Sequence, residues 1–155
     1  KINNSFNKID IVLSPAIGGI VVGYEIGRQL QIETIFAEKS EGKLRLRRDF
    51  EIAKNSNVLI VEDVITTGKS VLECLDIVKS NKANLVAYAC IVDRSKKDIS
   101  IKNKIISQMQ LEIEVFPEDK LPEDLKRIKP IKPGSRNLSK DGLSPMPFWR
   151  MNQVK

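Results

Sequence analysis

The segment Asn57–Asp63, NVLIVED, narrows the fold more than any other part of the chain. Val58–Val61 is a continuous apolar run with no polar alternation. Such a run suits a strand buried on both faces, and so a sheet with helices on both sides. Two adjacent acids, Glu62 and Asp63, end it. Val64, Ile65 and then Thr66-Thr67-Gly68-Lys69-Ser70 follow.

Gly68-Lys69-Ser70 is spelled like the end of a nucleotide-binding P-loop. That motif needs a glycine five positions before Gly68, where the chain has Asp63. A carboxylate there repels a phosphate chain unless a metal or sugar hydroxyls stand between them. The acids point to a ligand with two ends, one rich in hydroxyls and one phosphorylated. The N–H groups of Thr66–Ser70, the hydroxyls and the following helix dipole can hold a phosphate monoester. The plainer alternative is an ordinary Ser/Thr helix cap. Carboxylates accept hydrogen bonds from a vicinal diol, so a ribose suits Glu62 and Asp63. They could also anchor the water shell of Mg²⁺.

The remaining segments alternate strand and helix. IDIVLSPAIGG reads as a strand, Ile9–Leu13, and a turn. A helix follows at about Gly19–Leu30, with Gly19, Gly23 and Gly27 on one face for close approach to a sheet. TIFAE is the next strand. KSEGKLRLRRDFEI reads as a basic β-ribbon or a mobile loop. Ser70–Lys79 is a helix, LVAYACIVD a strand, about Ser100–Gln108 a helix and LEIEVF a fifth strand. The expected fold is α/β, a mainly parallel five-stranded sheet flanked by helices. From Pro117 the chain is rich in Pro and Lys and reads as an extended surface segment. The expected division is a core, 1–138, and a basic tail, 139–155.

With 155 residues the chain fits one domain with its own core. It has no histidine, which excludes Ser–His and Cys–His catalysis and His-based zinc sites. Cys74 and Cys90 read as reduced core thiols of a cytoplasmic protein. No apolar run approaches the ~18 residues of a membrane span. The net charge of +6 is concentrated in residues 126–155, where eight Lys/Arg stand against one Asp. No aromatic interleaving accompanies that charge, so nucleic acid is not expected as a partner.

VLIVEDVITTGKS closely resembles the phosphoribosyl-pyrophosphate signature of type I phosphoribosyltransferases. SPAIGGIVVGYEIGRQL, FAEKSEGKLRLRRDFEI, CIVDRS and KPGSRNL resemble orotate phosphoribosyltransferases at matching places, over roughly Lys8–Leu138. The resemblance implies transfer of phosphoribose to orotate, giving orotidine 5′-phosphate and pyrophosphate in pyrimidine (UMP) biosynthesis. Glu62 and Asp63 then contact the ribose hydroxyls, within a signature that runs through Val64 and Ile65. Thr66, Thr67, Gly68, Lys69 and Ser70 hold the 5′-phosphate. Ser14, Pro15, Ala16, Ile17, Gly18 and Gly19 match the pyrophosphate loop, although some members carry Lys where this chain has Gly18. Thr66 and Arg94 match contacts to orotate.

Lys39, Lys43, Arg45, Arg47 and Arg48 match the catalytic loop that crosses into the partner subunit of a homodimer. Many members have a Lys…His-Gly pattern there, which this shorter loop lacks. The implied cofactor is Mg²⁺, brought in by the substrate with no direct protein ligand. The family's N-terminal hood over the pyrimidine has no counterpart before the first core strand. The expectation is therefore binding of phosphoribosyl pyrophosphate but poor turnover of orotate by this stretch. Two other readings fit parts of the pattern: a transferase for another purine or pyrimidine, and a nucleic-acid-binding regulator on the same fold.

Overall fold

Val58–Val61 is wholly buried in the middle of a six-stranded sheet, in a computed structural model that describes residues 2, 8–95 and 101–128. The chain divides into two compact units, Lys1–Ile113 and Glu114–Lys155. The first contains β1 (Ile11–Pro15), α1 (Gly18–Leu30), β2 (Glu33–Ser40), β3 (Lys43–Leu46), β4 (Asn57–Ile65), α2 (Lys69–Ser80), β5 (Asn84–Asp93) and β6 (Ile105–Gln110). In the second, the described residues form a 3-10 turn, Glu118–Lys120, and a short helix α3, Glu123–Lys126. The expected boundary at residue 138, the KPGSRNL segment and the tail 139–155 lie outside the described residues.

The strand order is β3-β2-β1-β4-β5-β6. Five strands, β2, β1, β4, β5 and β6, run parallel, and β3 is antiparallel to β2 at the edge. Alternate residues of the central strands feed two separate cores. Ile11, Leu13, Val58 and Ile60 pack with Val71, Cys74 and Val78 of α2. Val12, Leu59 and Val61 pack with Val22 and Ile26 of α1. The two-sided burial expected of NVLIVED follows from helices on opposite faces.

The glycine face of α1 points at the sheet, and Gly19, Gly23 and Gly27 are all buried. A methyl on Gly23 would run into the Ser14 side chain, with Ser14 Cβ 3.1 Å away. One on Gly27 would meet Thr34 and, at 3.1 Å, the Ile32 carbonyl oxygen. Each interior glycine costs a helix about 1 kcal/mol. Close seating of the partly buried Val22 and Ile26 offsets that cost, since full burial of such a side chain is worth about 1.5–3 kcal/mol.

Two expectations fail beyond β5. Residues 105–110, placed in or beside a helix by the sequence reading, are strand β6. LEIEVF, residues 111–116, is not a strand, and Leu111, Ile113, Val115 and Phe116 are exposed. The open edge of β5 decides this. Ile105 and Ile106 pair with Tyr88 and Ala89 and pack into opposite cores, a period-two pattern. With that edge taken by β6, LEIEVF adds no further strand, and β6 is the outer strand on this side of the sheet.

Candidate active site

β1 and β4 are adjacent, yet their helical connections lead in opposite directions, to β2 and to β5. That reversal opens a crevice at the carboxyl ends of the two strands, the usual ligand site in open α/β sheets. β4 pairs with β1 only as far as Leu13↔Ile60, but with β5 as far as Ile65↔Asp93. Residues 61–65 of β4 therefore have a free edge facing the loop that leaves β1.

Glu62 and Asp63 lie on this free edge. The sequence reading put them at the end of the strand; β4 continues to Ile65, so they sit within it. Glu62 follows the parity of Val58 and Ile60, and Asp63 that of Leu59 and Val61, so they start toward opposite faces. The Glu62 side chain closes the gap by folding back. Its Oε1 accepts the Asp63 N–H at 3.1 Å and lies 3.1 Å from where a Cβ on Gly19 would be. Asp63 stands against Gly18, whose added Cβ would lie 2.8 Å from Asp63 Cγ. Asp63 Oδ1 accepts the Val64 N–H at 2.8 Å. Glycine at 18 and 19 thus lets the first turn of α1 approach both acids.

Burial is severe at Glu62, which is 9% exposed. Loss of solvation, then the hydrogen bond and the charge of Asp63, push its carboxyl up to about 8. The Asp63 N–H opposes the shift without cancelling it. This burial favours the protonated form of Glu62.

The 14–19 loop is held to β2 by the Ala16 N–H, which donates to the Ala37 carbonyl at 2.8 Å. The Ala16–Ile17 peptide is cis. Ser14 and Pro15 are buried, and Ser14 Oγ is turned under α1 toward Gly23, with no hydrogen-bond partner. Ile17 and Gly18 are the exposed part of the loop.

On the other side of the acids, Val64 is exposed and Ile65 is buried in the α2 core. Thr66 and Thr67 are exposed and lead into α2. Gly68 is its N-cap, with φ +75°, a conformation that glycine adopts at little cost. Thr67 Oγ1 accepts the Lys69 N–H at 3.4 Å. Gly68 has no side chain to cap the helix, and the first turn holds no acid. The remaining first-turn amides, Ser70 among them, have no acceptor within the helix and suit an anion.

Arg94 follows β5, and its N–H donates to the Ile65 carbonyl at 2.8 Å. That bond sets Arg94 beside Thr66. Its Nε is buried without a partner. Asp93 makes no ion pair with it among the described residues and instead accepts the Ser95 N–H at 2.9 Å. Asp98 lies outside the described residues.

The basic segment is an antiparallel hairpin of β2 and β3. Its two-residue turn, Glu41–Gly42, has φ of 52° and 80°, the geometry that matches strand twist in tight hairpins. Leu44 points inward and Arg45 outward, as the alternation implied. Arg45 pairs with Glu41 at 3.2 Å, and Arg47 and Arg48 both pair with Glu38, at 3.9 and 2.9 Å. Arg48 also lies over the Phe36 ring, 5.9 Å from its centre. Lys39 and Lys43 are exposed and make no ion pair among the described residues. Those two remain available to a ligand's charge. Among the described residues no cluster of three or more His, Cys, Asp or Glu is arranged to hold a metal ion. The paired acids Glu62 and Asp63 fit a diol, or the water shell of an ion carried by a ligand.

Residues 1–120 match the family model for the phosphoribosyl transferase domain. The chain belongs to the phosphoribosyl transferase family. It is 44% identical to the orotate phosphoribosyltransferase of Brucella anthropi over 130 residues, 84% of this chain and 67% of that one. It is 40% identical to the orotate phosphoribosyltransferase of Maricaulis maris over 129 residues, covering 83% and 66%. The chain thus spans about two thirds of the length of these relatives. Among solved structures, adenine phosphoribosyltransferase from Thermoanaerobacter pseudethanolicus superposes with a TM-score of 0.62 at 16% identity, covering 71% of this chain and 74% of that one. Orotate phosphoribosyltransferase from Aeropyrum pernix gives 0.56 at 20% identity, covering 67% and 62%. At such identities the structural likeness is one of fold.

Proposed function

We propose that the protein is an orotate phosphoribosyltransferase that transfers phosphoribose from phosphoribosyl pyrophosphate to orotate in pyrimidine biosynthesis. One observation carries the chemistry: a buried Glu62 beside a half-buried Asp63 and an anion-ready helix start flank one crevice, with the Arg94 guanidinium, unpartnered among the described residues, beside Thr66. The two relatives named above, at 40% and 44% identity, support orotate as the acceptor.

In this reading the Thr66–Ser70 amides and hydroxyls hold the 5′-phosphate, and Glu62 and Asp63 hold the two ribose hydroxyls. With its proton, Glu62 can donate to one hydroxyl while Asp63 accepts from the other. The backbone of Ile17–Gly19 is offered to the pyrophosphate. As the C1–O bond weakens, negative charge grows on the departing pyrophosphate, and Lys39 and Lys43 stabilise it electrostatically. Mg²⁺, arriving with the pyrophosphate, would neutralise part of that charge, and Glu62 and Asp63 are the residues that would meet its water shell. Arg94 pairs with an orotate carboxylate or carbonyl through its planar fork.

The test is a panel of free bases with phosphoribosyl pyrophosphate and Mg²⁺. Orotate should be the preferred acceptor over adenine, uracil and hypoxanthine. Arg94→Ala should raise the KM for orotate by about 10²-fold, the order expected for losing a charged hydrogen bond, while leaving pyrophosphate-donor binding intact. Equal use of adenine, or an unchanged KM in the variant, would overturn the assignment.

A homodimer in which the basic hairpin serves the neighbouring subunit's site belongs to the same proposal. Mixing inactive Asp63→Asn subunits with inactive Lys39→Ala/Lys43→Ala subunits should restore part of the activity. Mixed dimers that stay inactive would place the hairpin in its own subunit's site. No helix among the described residues is long and apolar enough to cross a membrane. The cytoplasm is the proposed location, in keeping with two free, buried cysteines. Fractionation with the membranes would contradict it.

A further inference from the structure

The hairpin and the phosphate-holding helix come from separate parts of the chain, and one hydrogen bond joins them. Glu73, one turn into α2, accepts the Leu44 N–H on its Oε2 at 3.0 Å. The Leu44 side chain is 6% exposed and packs in the core formed with Val71, Cys74 and Val78 of α2. β3 is the outermost strand, so its outward amides have no neighbouring strand. An amide so placed and partly buried needs an acceptor. A backbone carbonyl cannot supply it here, and the helix supplies a carboxylate instead.

The same carboxylate lines a cavity of about 700 Å³ between the hairpin and α2. Lys43 stands on the hairpin wall of that cavity and Lys69 on the helix wall. Yet Glu73 forms no ion pair with either among the described residues. Its hydrogen bond goes to the backbone of β3. The distance between Lys43 and the start of α2 is therefore set by a backbone tether rather than by a charge pair that either lysine could leave.

The geometry points to Glu73 as a positioning residue, which fixes the Lys39–Lys43 hairpin against α2 of its own subunit and so sets how its lysines are presented to the departing pyrophosphate, in the neighbouring subunit's site or its own. It touches neither substrate and acts through Leu44. This inference rests on the function proposed above, because the hairpin's lysines matter only if pyrophosphate leaves beside them. Asp76 and Ser80 lie farther along the same wall; Ser80 Oγ donates to the Ile77 carbonyl, and among the described residues neither bonds to the hairpin.

The test compares Glu73→Ala with Glu73→Gln, which keeps a carbonyl oxygen for the Leu44 amide. Amide exchange over Lys39–Leu46 is measured first and needs no activity. In Glu73→Ala it should accelerate by about tenfold, with the melting temperature within a few degrees of wild type, as for a local opening. In the active protein, kcat should fall by about tenfold or more while KM for phosphoribosyl pyrophosphate changes less than about threefold, because the loss falls on leaving-group stabilisation. Glu73→Gln should restore both to within about twofold. Faster exchange with unchanged kcat would reduce Glu73 to an edge cap. Unchanged exchange would remove the tether altogether. A wild-type protein that neither binds phosphoribosyl pyrophosphate nor turns over orotate even slowly would instead sink the function proposed above, whatever the exchange data show.

Discussion

Glu62→Gln combined with Asp63→Asn is expected to leave a folded protein that has lost about 10²- to 10³-fold of its affinity for phosphoribosyl pyrophosphate. A hydrogen bond to the charged Asp63 is worth about 1.5–3 kcal/mol and one to the neutral Glu62 about 0.5–1.5 kcal/mol, and the two are weakened together. The fold should survive because neither side chain supports the apolar cores. The crevice edge of β4 is already unpaired beyond Ile60. Inorganic phosphate should still bind weakly, since the Thr66–Ser70 turn is untouched. Calorimetric titration checks both ligands. Undiminished affinity in a double variant of normal melting temperature would take the acids out of the site.

Glu62→Gln alone should make the ligand-free protein more stable at alkaline pH. The ordinary value for this carboxyl is 4.5, and the folded protein holds it at about 8. Above pH 4.5 the unfolded chain gives up the proton while the folded chain keeps it. Folding then loses stability steadily as pH rises, until the folded group also ionises near pH 8. Glutamine is neutral in both states and carries no such penalty. Near pH 8.5 the variant should be more stable by about 3–5 kcal/mol, or roughly 10 °C in melting temperature. Near pH 4 the two proteins should melt alike. Melting temperature followed from pH 4 to 9 reads this directly, and parallel curves would show that Glu62 is not held protonated. A residue that destabilises the free fold and improves ligand binding fits the usual conflict between stability and function.

Elements with a strong local pattern were readable before the structure. The unbroken run Val58–Val61 announced a central strand, and the spacing of Gly19, Gly23 and Gly27 announced a helix seated close to the sheet. Both signals are local, and the fold agrees with them. Ile105–Gln110 misled because short mixed segments carry no decisive period, and its strand is decided by the vacant edge of β5. LEIEVF has better strand chemistry, yet β6 takes the place beside β5 and LEIEVF forms no strand.

At the site, adjacent placement of Glu62 and Asp63 with the Thr-Gly-Lys-Ser turn was visible in the spelling. How two neighbours on opposite faces of a strand reach one crevice was not. That depends on β1 leaving the sheet after Pro15 and on Gly18 and Gly19 making room. The five basic residues of the hairpin looked equivalent in sequence. Glu38 and Glu41 separate them by occupying Arg45, Arg47 and Arg48. Glu73 gave no signal, because its partner is a backbone amide 29 positions away.

The central claim is that one crevice holds both ends of the activated sugar. A crystal structure of the protein with phosphoribosyl pyrophosphate and Mg²⁺ tests it most directly. The account predicts the 5′-phosphate on the amides of Thr66–Ser70 and the ribose hydroxyls within hydrogen-bond reach of both Glu62 and Asp63. A 5′-phosphate seated anywhere else, or a ribose that leaves both carboxylates without a contact, would contradict it.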